Sequence, residues 1–184
     1  MNIRARLVPA LLGVVLPLGL VASAGAQSPP PPCDGCFTTP LAASGNGSCV
    51  VNMCYTYDPV AQRVTVNSVQ LVLGADCSGL GVPLGSSGIT PALMGAVQKE
   101  AIRIAIQNCV GCNATSARVF SSVSPQCVKQ TKTQTWIACT PDLCHVSYEV
   151  TCNPSDPYSW TWGAKWSDTP CSPLCFTGCQ PACP

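Results

Sequence analysis

Cysteine is the residue type that most constrains how this chain can fold. Fifteen of the 184 residues are cysteines, and all of them follow an N-terminal segment with the features of an export signal. A content of about one cysteine in ten, once that segment is removed, is typical of exported domains that are stabilised by disulfides. Because fifteen is an odd number, at least one thiol is predicted to be free, bound to a ligand or bonded to another molecule.

The first residues, 1–26, are predicted to be a cleavable signal peptide. Arg4 and Arg6 supply positive charge, an apolar run extends from Leu7 to Val21, and small residues end the segment at Ala26. This order of charge, apolar run and small residues is typical of secretory signals, and the run is short for a membrane anchor. We therefore expect a secreted or cell-surface protein with no membrane span.

The chain that follows the signal is nearly neutral. Apart from the two arginines of the signal, it has seven basic and eight acidic residues. This balance offers no basic surface for nucleic acid or for an anionic membrane. Four segments are expected: the signal peptide 1–26, a proline-rich leader and loop 27–48, a disulfide-stabilised globular domain 49–170, and a cysteine-rich C-terminal tail 171–184.

The pattern of apolar residues predicts a β-hairpin at the start of the globular domain. Apolar side chains alternate over Cys49–Tyr57 and again over Arg63–Leu73, with a turn that begins at Asp58. Within the second run the alternation slips by one residue near Asn67-Ser68, which predicts a β-bulge.

A helix and a second hairpin complete the predicted fold. Thr90 and Pro91 are a typical cap and first residue of a helix, whose apolar stripe continues to Cys109. Thr131–Cys139 and His145–Cys152 are predicted to form the second hairpin. The order β-β-α-β-β predicts an α+β fold: a small antiparallel sheet of two hairpins with one packed helix, rich in disulfides, followed by a coil-like C-terminal tail.

Two C-x-x-C pairs have the spacing of zinc or thiol-redox sites. They are Cys33/Cys36 and Cys109/Cys112. The gap between the pairs is too long for a zinc ribbon, and a reactive thiol is favoured at a helix N-terminus, whereas Cys109 lies at a C-terminus. In an exported chain we expect structural disulfides, with an exported metal-binding or thiol-redox protein as the alternative.

Two more cysteine groups lie towards the C-terminus. Cys139 and Cys144 precede His145 in a stretched form of the haem attachment motif. Because this spacing does not fit covalent haem, the preferred interpretation is a cystine that braces the second hairpin. Four tail cysteines recur among prolines and a glycine, which predicts a coil tethered to the body. These four are Cys171, Cys175, Cys179 and Cys183. No metal and no cofactor are expected.

The single histidine limits the catalytic chemistry open to the chain. Any Ser-His-Asp or Cys-His arrangement would have to use His145, and no G-x-S-x-G motif is present. A glycosidase needs two opposed carboxylates, and nothing in the sequence indicates such a pair. We therefore expect no enzymatic activity, with a secreted hydrolase that uses His145 as a second alternative.

Aromatic residues near the C-terminus form the candidate binding site. Tyr158, Trp160 and Trp162 recur at every second position, and Trp166 follows beside Lys165. Exposed aromatic side chains stack on sugar rings or pack on partner surfaces, whereas the competing interpretation is burial against cystines. The sequence thus predicts a non-catalytic structural or binding role. The expected partner is an extracellular protein or glycan, and the odd cysteine leaves a disulfide-linked dimer open.

Overall fold

A mixed β-sheet dominates the structure of this protein. The computed structural model describes residues 33–41, 49–86, 88–111, 118–153, 156–167, 175 and 177–184, so the predicted signal peptide lies outside the described residues. Within them, nine strands and one long helix form. The elements are β1 (Gly35–Pro40), β2 (Val50–Asp58), β3 (Arg63–Leu71), α1 (Pro91–Ala105), β4 (Arg118–Pro125), β5 (Cys127–Gln130), β6 (Thr135–Ala138), β7 (Leu143–Asn153), β8 (Asp156–Ser167) and β9 (Gln180–Pro181).

Strand β3 is the centre from which the sheet divides. One edge of β3 pairs antiparallel with β2, which in turn pairs with β1. On the other edge, the first residues of β3 pair in parallel with β4, and its last residues pair antiparallel with β6. One branch then continues through β7 to β8, and the other through β5 to β9. Because the two branches diverge from one strand, the sheet is curled.

Helix α1 is the crossover that the parallel pair requires. Parallel neighbours cannot be joined by a tight turn, so the chain leaves β3, forms α1 over one face of the sheet, and returns as β4. The helix contacts β2, β3 and β4. We name the face that α1 covers the inner face, and the opposite one the outer face. Within the described ranges, no helix combines the length and the apolar content that crossing a bilayer requires.

The α+β prediction of a small antiparallel sheet with two hairpins in the order β-β-α-β-β is wrong. The two runs of the predicted second hairpin do not pair with each other, because β6 pairs with β3 and β5 whereas β7 pairs with β4 and β8. The observed hairpins in this region are β5–β6 and β7–β8. The physical reason is that alternation of apolar residues shows which side of a strand is buried but not which strand lies beside it.

The first hairpin confirms its prediction in residue detail. All five alternating side chains of the first run are buried in the core: Cys49, Val51, Met53, Tyr55 and Tyr57. Cys54 lies opposite Ser68 and Tyr55 lies opposite Val66, which leaves Asn67 as the extra residue of the predicted bulge. The carboxylate of Asp58 accepts hydrogen bonds from the backbone N–H groups of the turn that follows.

The predicted start of the helix is also confirmed. The hydroxyl of Thr90 accepts a hydrogen bond from the N–H of Leu93 at 3.1 Å, and Pro91 is the first helical residue. The apolar stripe is buried against the sheet, at Leu93, Val97, Ala101, Ile104 and Ala105. After α1, a π-helical turn at Ile106–Val110 leads to Gly111, whose φ of 74° ends the helix.

Six disulfides join the described residues, and every cysteine whose side chain is described takes part in one. The pairs are Cys33–Cys109, Cys36–Cys54, Cys49–Cys77, Cys127–Cys175, Cys139–Cys179 and Cys144–Cys183. Three of them attach the tail to the sheet, which confirms the predicted tether. The predicted brace between Cys139 and Cys144 is wrong, because both residues bond to the tail. Cys112, Cys171 and the side chain of Cys152 lie outside the described residues.

Candidate binding site

Strand β8 carries all four aromatic residues of the predicted site, but the two whose side chains are described lie on opposite faces of the sheet. Trp162 lies opposite Val150 and is on the inner face, whereas Trp166 lies opposite Ser147 on the outer face, where it is 41% exposed. Tyr158 and Trp160 lie further towards the start of β8, and their side chains are outside the described residues. Ligand binding by these aromatic residues stays a prediction.

A β-bulge separates the two tryptophans. Side chains four residues apart on a regular strand share a face, but the register shifts between Tyr148 and Val150, so that two residues of β8 oppose Glu149 alone. One of the two is Gly163, where a Cβ atom would lie 2.7 Å from Oε2 of Glu149 and 3.2 Å from its Cβ. Glycine permits this close approach because it has no Cβ atom. Since the bulge adds one residue to β8, the residues after it lie on the opposite face from the one that regular alternation would give.

Trp162 is one wall of an aromatic corner that holds a lysine. Its ring lies edge-on to the ring of Tyr148, with 5.7 Å between the centroids and an interplanar angle of 81°. The Nζ atom of Lys99, on α1, lies 5.3 Å from the centroid of Trp162 and 5.8 Å from that of Tyr148. The negative faces of aromatic rings attract an ammonium group at this distance. The corner therefore fixes the position of the Lys99 charge.

A chain of buried hydrogen bonds fixes the aromatic corner in turn. The hydroxyl of Tyr148 donates to Oε1 of Gln98 at 3.0 Å, and Nε2 of Gln98 donates to the hydroxyl of Ser124 at 2.9 Å. Burial raises the pKa of Tyr148 to about 12, so the phenol remains a protonated donor at neutral pH. Because buried polar groups are costly to leave unpaired, this chain ties α1 to β4 and β7 at the site.

Beside the corner runs a groove of about 230 Å³ between α1 and the β7–β8 pair. Lys165 lies opposite Tyr148 in the sheet and shares the groove with Lys99. The remaining walls are mostly apolar and none of the lining side chains is acidic. We name this the lysine groove; its lining residues are Pro91, Ala92, Gly95, Ala96, Lys99, Tyr148, Lys165 and Pro184.

The buried charge on α1 serves the fold and not the groove. Glu100 is only 4% exposed. It accepts a hydrogen bond from the hydroxyl of Thr39 at 2.6 Å and forms an ion pair with Arg103. These contacts attach α1 to β1, and they satisfy a carboxylate that would be costly to bury alone.

His145, the residue on which the hydrolase alternative depends, lies half-buried on β7. The residue directly opposite it on β4 is Val123, and from β8 the hydroxyl of Ser167 donates to the backbone carbonyl of His145 at 3.3 Å. Within the described ranges, no group of three or more His, Cys, Asp or Glu side chains is placed to hold a metal ion. That the protein is not an enzyme stays a prediction.

Of the residues at the site, the sequence predicted Trp162 but not Lys99, Tyr148 or Gln98. In the sequence, Lys99 falls on the polar side of the helical pattern, and Tyr148 falls on the apolar side of the alternation in β7. Only the parallel β3–α1–β4 connection, which the sequence did not reveal, brings the two together. Comparison with protein-family models, with curated proteins and with solved structures finds no match for this chain. The geometry of the groove is therefore the basis on which a function can be assigned.

Proposed function

We propose that this chain is an exported, disulfide-stabilised binding protein without catalytic activity, and that the lysine groove binds its ligand. The observation that carries the proposal is the placement of the Lys99 ammonium over the aromatic corner, in a groove that Lys165 also lines and whose described lining residues have no acidic side chain. The six disulfides support export, because cross-links of this kind form and persist in oxidising compartments.

The chemistry of the groove favours an acidic glycan as the ligand. Ammonium groups attract carboxylate or sulfate groups, and apolar walls such as those of Pro91 and Ala96 can contact the C–H face of a sugar ring. The chain after the signal is nearly neutral, so this pair of lysines is a local feature and not part of a general basic surface. Each exposed ion pair contributes about 0.2–1 kcal/mol, which predicts weak binding to a single sugar unit and stronger binding to a polymer.

Titration of the purified protein with polygalacturonate, with uncharged dextran as a reference, tests the proposal. We expect the Lys99→Gln/Lys165→Gln variant to weaken polygalacturonate binding about tenfold, which corresponds to a loss of about 1.4 kcal/mol. The Lys99→Arg/Lys165→Arg variant retains the charge and is expected to retain the binding.

The matched control is Lys129→Gln/Lys132→Gln. Both of these lysines are exposed and neither lines the groove, so this variant changes the net charge by the same amount. Equal loss of binding in the two double variants would overturn the assignment to the groove, since it would show that only net charge matters. Binding to an acidic protein but to no glycan would replace the proposed ligand and retain the site.

A further inference from the structure

One of the six described disulfides differs from the other five in what it connects. Cys36 and Cys54 lie directly opposite each other in the β1–β2 pair, whose register already joins six residue pairs. Their sequence separation of 18 is the shortest among the described disulfides, and the stabilisation that a cross-link provides increases with the length of the loop it closes. The other five connect segments that do not pair as neighbouring strands of one hairpin. Cys36–Cys54 is therefore the cross-link that the fold needs least.

The same disulfide lies on the outer face of the sheet, away from the core. Cys36 is exposed and Cys54 is half-buried. Cys33 and Cys109 are likewise exposed and half-buried, whereas Cys49 and Cys77 are 0% and 3% exposed, and Cys144 and Cys183 are 0% and 9% exposed. Exchange requires a thiolate to reach a sulfur atom, and Cys36–Cys54 permits that approach without unfolding.

A groove of about 350 Å³ lies over this disulfide. Five of its eight lining residues have hydroxyl or amide side chains, the other three are Phe37 and the two cysteines, and none of the eight is charged. Thr38 donates to the side chain of Asn52, and Gln70 donates to the carbonyl of Thr133 at 3.0 Å, so the polar groups are held in place. We name this the outer groove; its lining residues are Cys36, Phe37, Thr38, Asn52, Cys54, Ser68, Gln70 and Thr135. Such a lining matches the amide groups of a small peptide.

We propose that Cys36–Cys54 is a thiol-exchange site for small peptide thiols, which the outer groove accommodates. A peptide thiolate attacks Sγ of Cys36, the Cys36–Cys54 bond breaks, and Cys54 leaves as a thiolate that takes a proton from water. A second peptide thiolate attacks the peptide sulfur of the mixed disulfide, which releases the oxidised peptide and leaves Cys36 as a thiolate, protonated likewise. Two peptide thiols are thus oxidised and one protein disulfide is reduced. Strand β1 stays attached through its pairing with β2 and through Cys33–Cys109.

Mass spectrometric mapping of the full exported chain tests this proposal. Free thiols are first blocked under native conditions, glutathione is then added without denaturant, and new thiols and mixed disulfides are trapped with a second alkylating agent. We expect Cys36 and Cys54 to react at least about tenfold faster than any other described pair. Reaction of Cys33–Cys109 at the same rate, or reaction of all pairs together, would overturn the proposal.

Variants and a second thiol test the two parts of the proposal separately. Cys36→Ser/Cys54→Ser is expected to lose the fast reaction, and Cys33→Ser/Cys109→Ser, whose first cysteine is also exposed, is expected to keep it. Asn52→Ala/Gln70→Ala is expected to slow the reaction with glutathione but not that with mercaptoethanol. Equal rates for the two thiols in the unaltered protein, corrected for their thiolate fractions, would overturn the role of the groove. Because mapping of the unaltered protein needs no variant, misfolding of one variant does not weaken the test.

Discussion

The lysine groove and the outer groove lie on opposite faces of one sheet and differ both in chemistry and in how they are built. The lysine groove has two ammonium groups and mainly apolar walls, and it collects residues from α1, β7, β8 and the last residue of the tail. The outer groove has neutral polar side chains around a disulfide, and nearly all of its residues come from β1, β2 and β3.

This difference implies that the two sites depend on different parts of the fold. The outer groove is built mainly from strands that are close in sequence and hydrogen-bonded to each other, with Thr135 of β6 as its one residue from a more distant strand. The lysine groove requires contacts between distant segments, and those contacts are secured by the tail disulfides and by the bulge in β8. A change to either of these features should therefore disable the lysine groove alone.

The largest expected effect follows from removal of the last tail disulfide. Cys144→Ala/Cys183→Ala releases the end of the tail, including Pro184, which forms one wall of the lysine groove. The loop that this disulfide closes, with a sequence separation of 39, predicts a decrease of about 4 kcal/mol in the free energy of unfolding. Urea unfolding measures this decrease, and polygalacturonate titration is expected to show a loss of binding.

The comparison between the grooves supplies the control. Thiol exchange at Cys36–Cys54 should be unchanged in the tail variant, and polygalacturonate binding should be unchanged in Cys36→Ser/Cys54→Ser. If the tail variant changes the exchange rate as strongly as it changes ligand binding, the two sites are not independent and the comparison fails.

A smaller effect is expected from Gly163→Ala in the bulge of β8. The added methyl group would lie 2.7 Å from Oε2 of Glu149 and 3.2 Å from its Cβ and Cδ, so the carboxylate must swing away and the Cβ, which is fixed to β7, must give by a few tenths of an ångström. Steric conflicts of this kind cost about 1–3 kcal/mol, and a displaced β8 carries Trp162 and Lys165 with it. We expect both the stability and polygalacturonate binding to decrease.

The double variant Glu149→Ala/Gly163→Ala removes the obstructing side chain together with the glycine. It is expected to recover most of the stability and of the binding, as measured by the same urea unfolding and titration. A Gly163→Ala protein with unaltered stability would show that the space beside Glu149 does not require glycine. If the double variant does not recover stability and binding, the effect of Gly163→Ala comes from the backbone of β8 and not from the contact with Glu149.

These features differ in how far the sequence could reveal them. The β2–β3 hairpin and α1 were predictable because their signals are local: alternation, a turn at Asp58, and the Thr90 cap. The division of the sheet at β3 was not, because it depends on a parallel pair between residues far apart in sequence. Strand β4 gave little signal either, since three serines, Ser121, Ser122 and Ser124, interrupt its apolar residues.

The candidate site was predictable only in part for a related reason. The aromatic spacing identified β8 as the strand that contributes Trp162. The phase change before Trp166 depends on a bulge, for which the only signal was a glycine within a strand-like run, a position that often marks such irregularities. Lys99 and Tyr148 could not be linked to Trp162, because no local pattern shows which strand a helix will cover.

The smallest expected effect is a pH dependence of stability that comes from two buried tyrosines, Tyr148 in β7 and Tyr55 in β2. It is absent at neutral pH and is seen only in alkaline solution. Burial raises the pKa of Tyr148 to about 12, and burial, with the charges of Asp34 and Glu100, raises that of Tyr55 to about 12. An unfolded chain ionises its tyrosines near their ordinary pKa of 10.0. The contribution of both phenols to stability is therefore complete below about pH 10 and decreases as the pH rises towards 12.

Replacement of each tyrosine by phenylalanine distinguishes the contributions of Tyr148 and Tyr55 to stability. The hydroxyl of Tyr148 donates to Gln98, so Tyr148→Phe leaves a buried carbonyl unpaired and is expected to cost about 1–3 kcal/mol at neutral pH. The buried hydroxyl of Tyr55 has no hydrogen-bond partner in the described part of the chain, so Tyr55→Phe is expected to be nearly neutral there. Both variants should lose less stability than the unaltered protein between about pH 10 and pH 11 in urea unfolding. A pH dependence identical to that of the unaltered protein would contradict the assignment, because it would show that neither phenol is kept protonated by the fold.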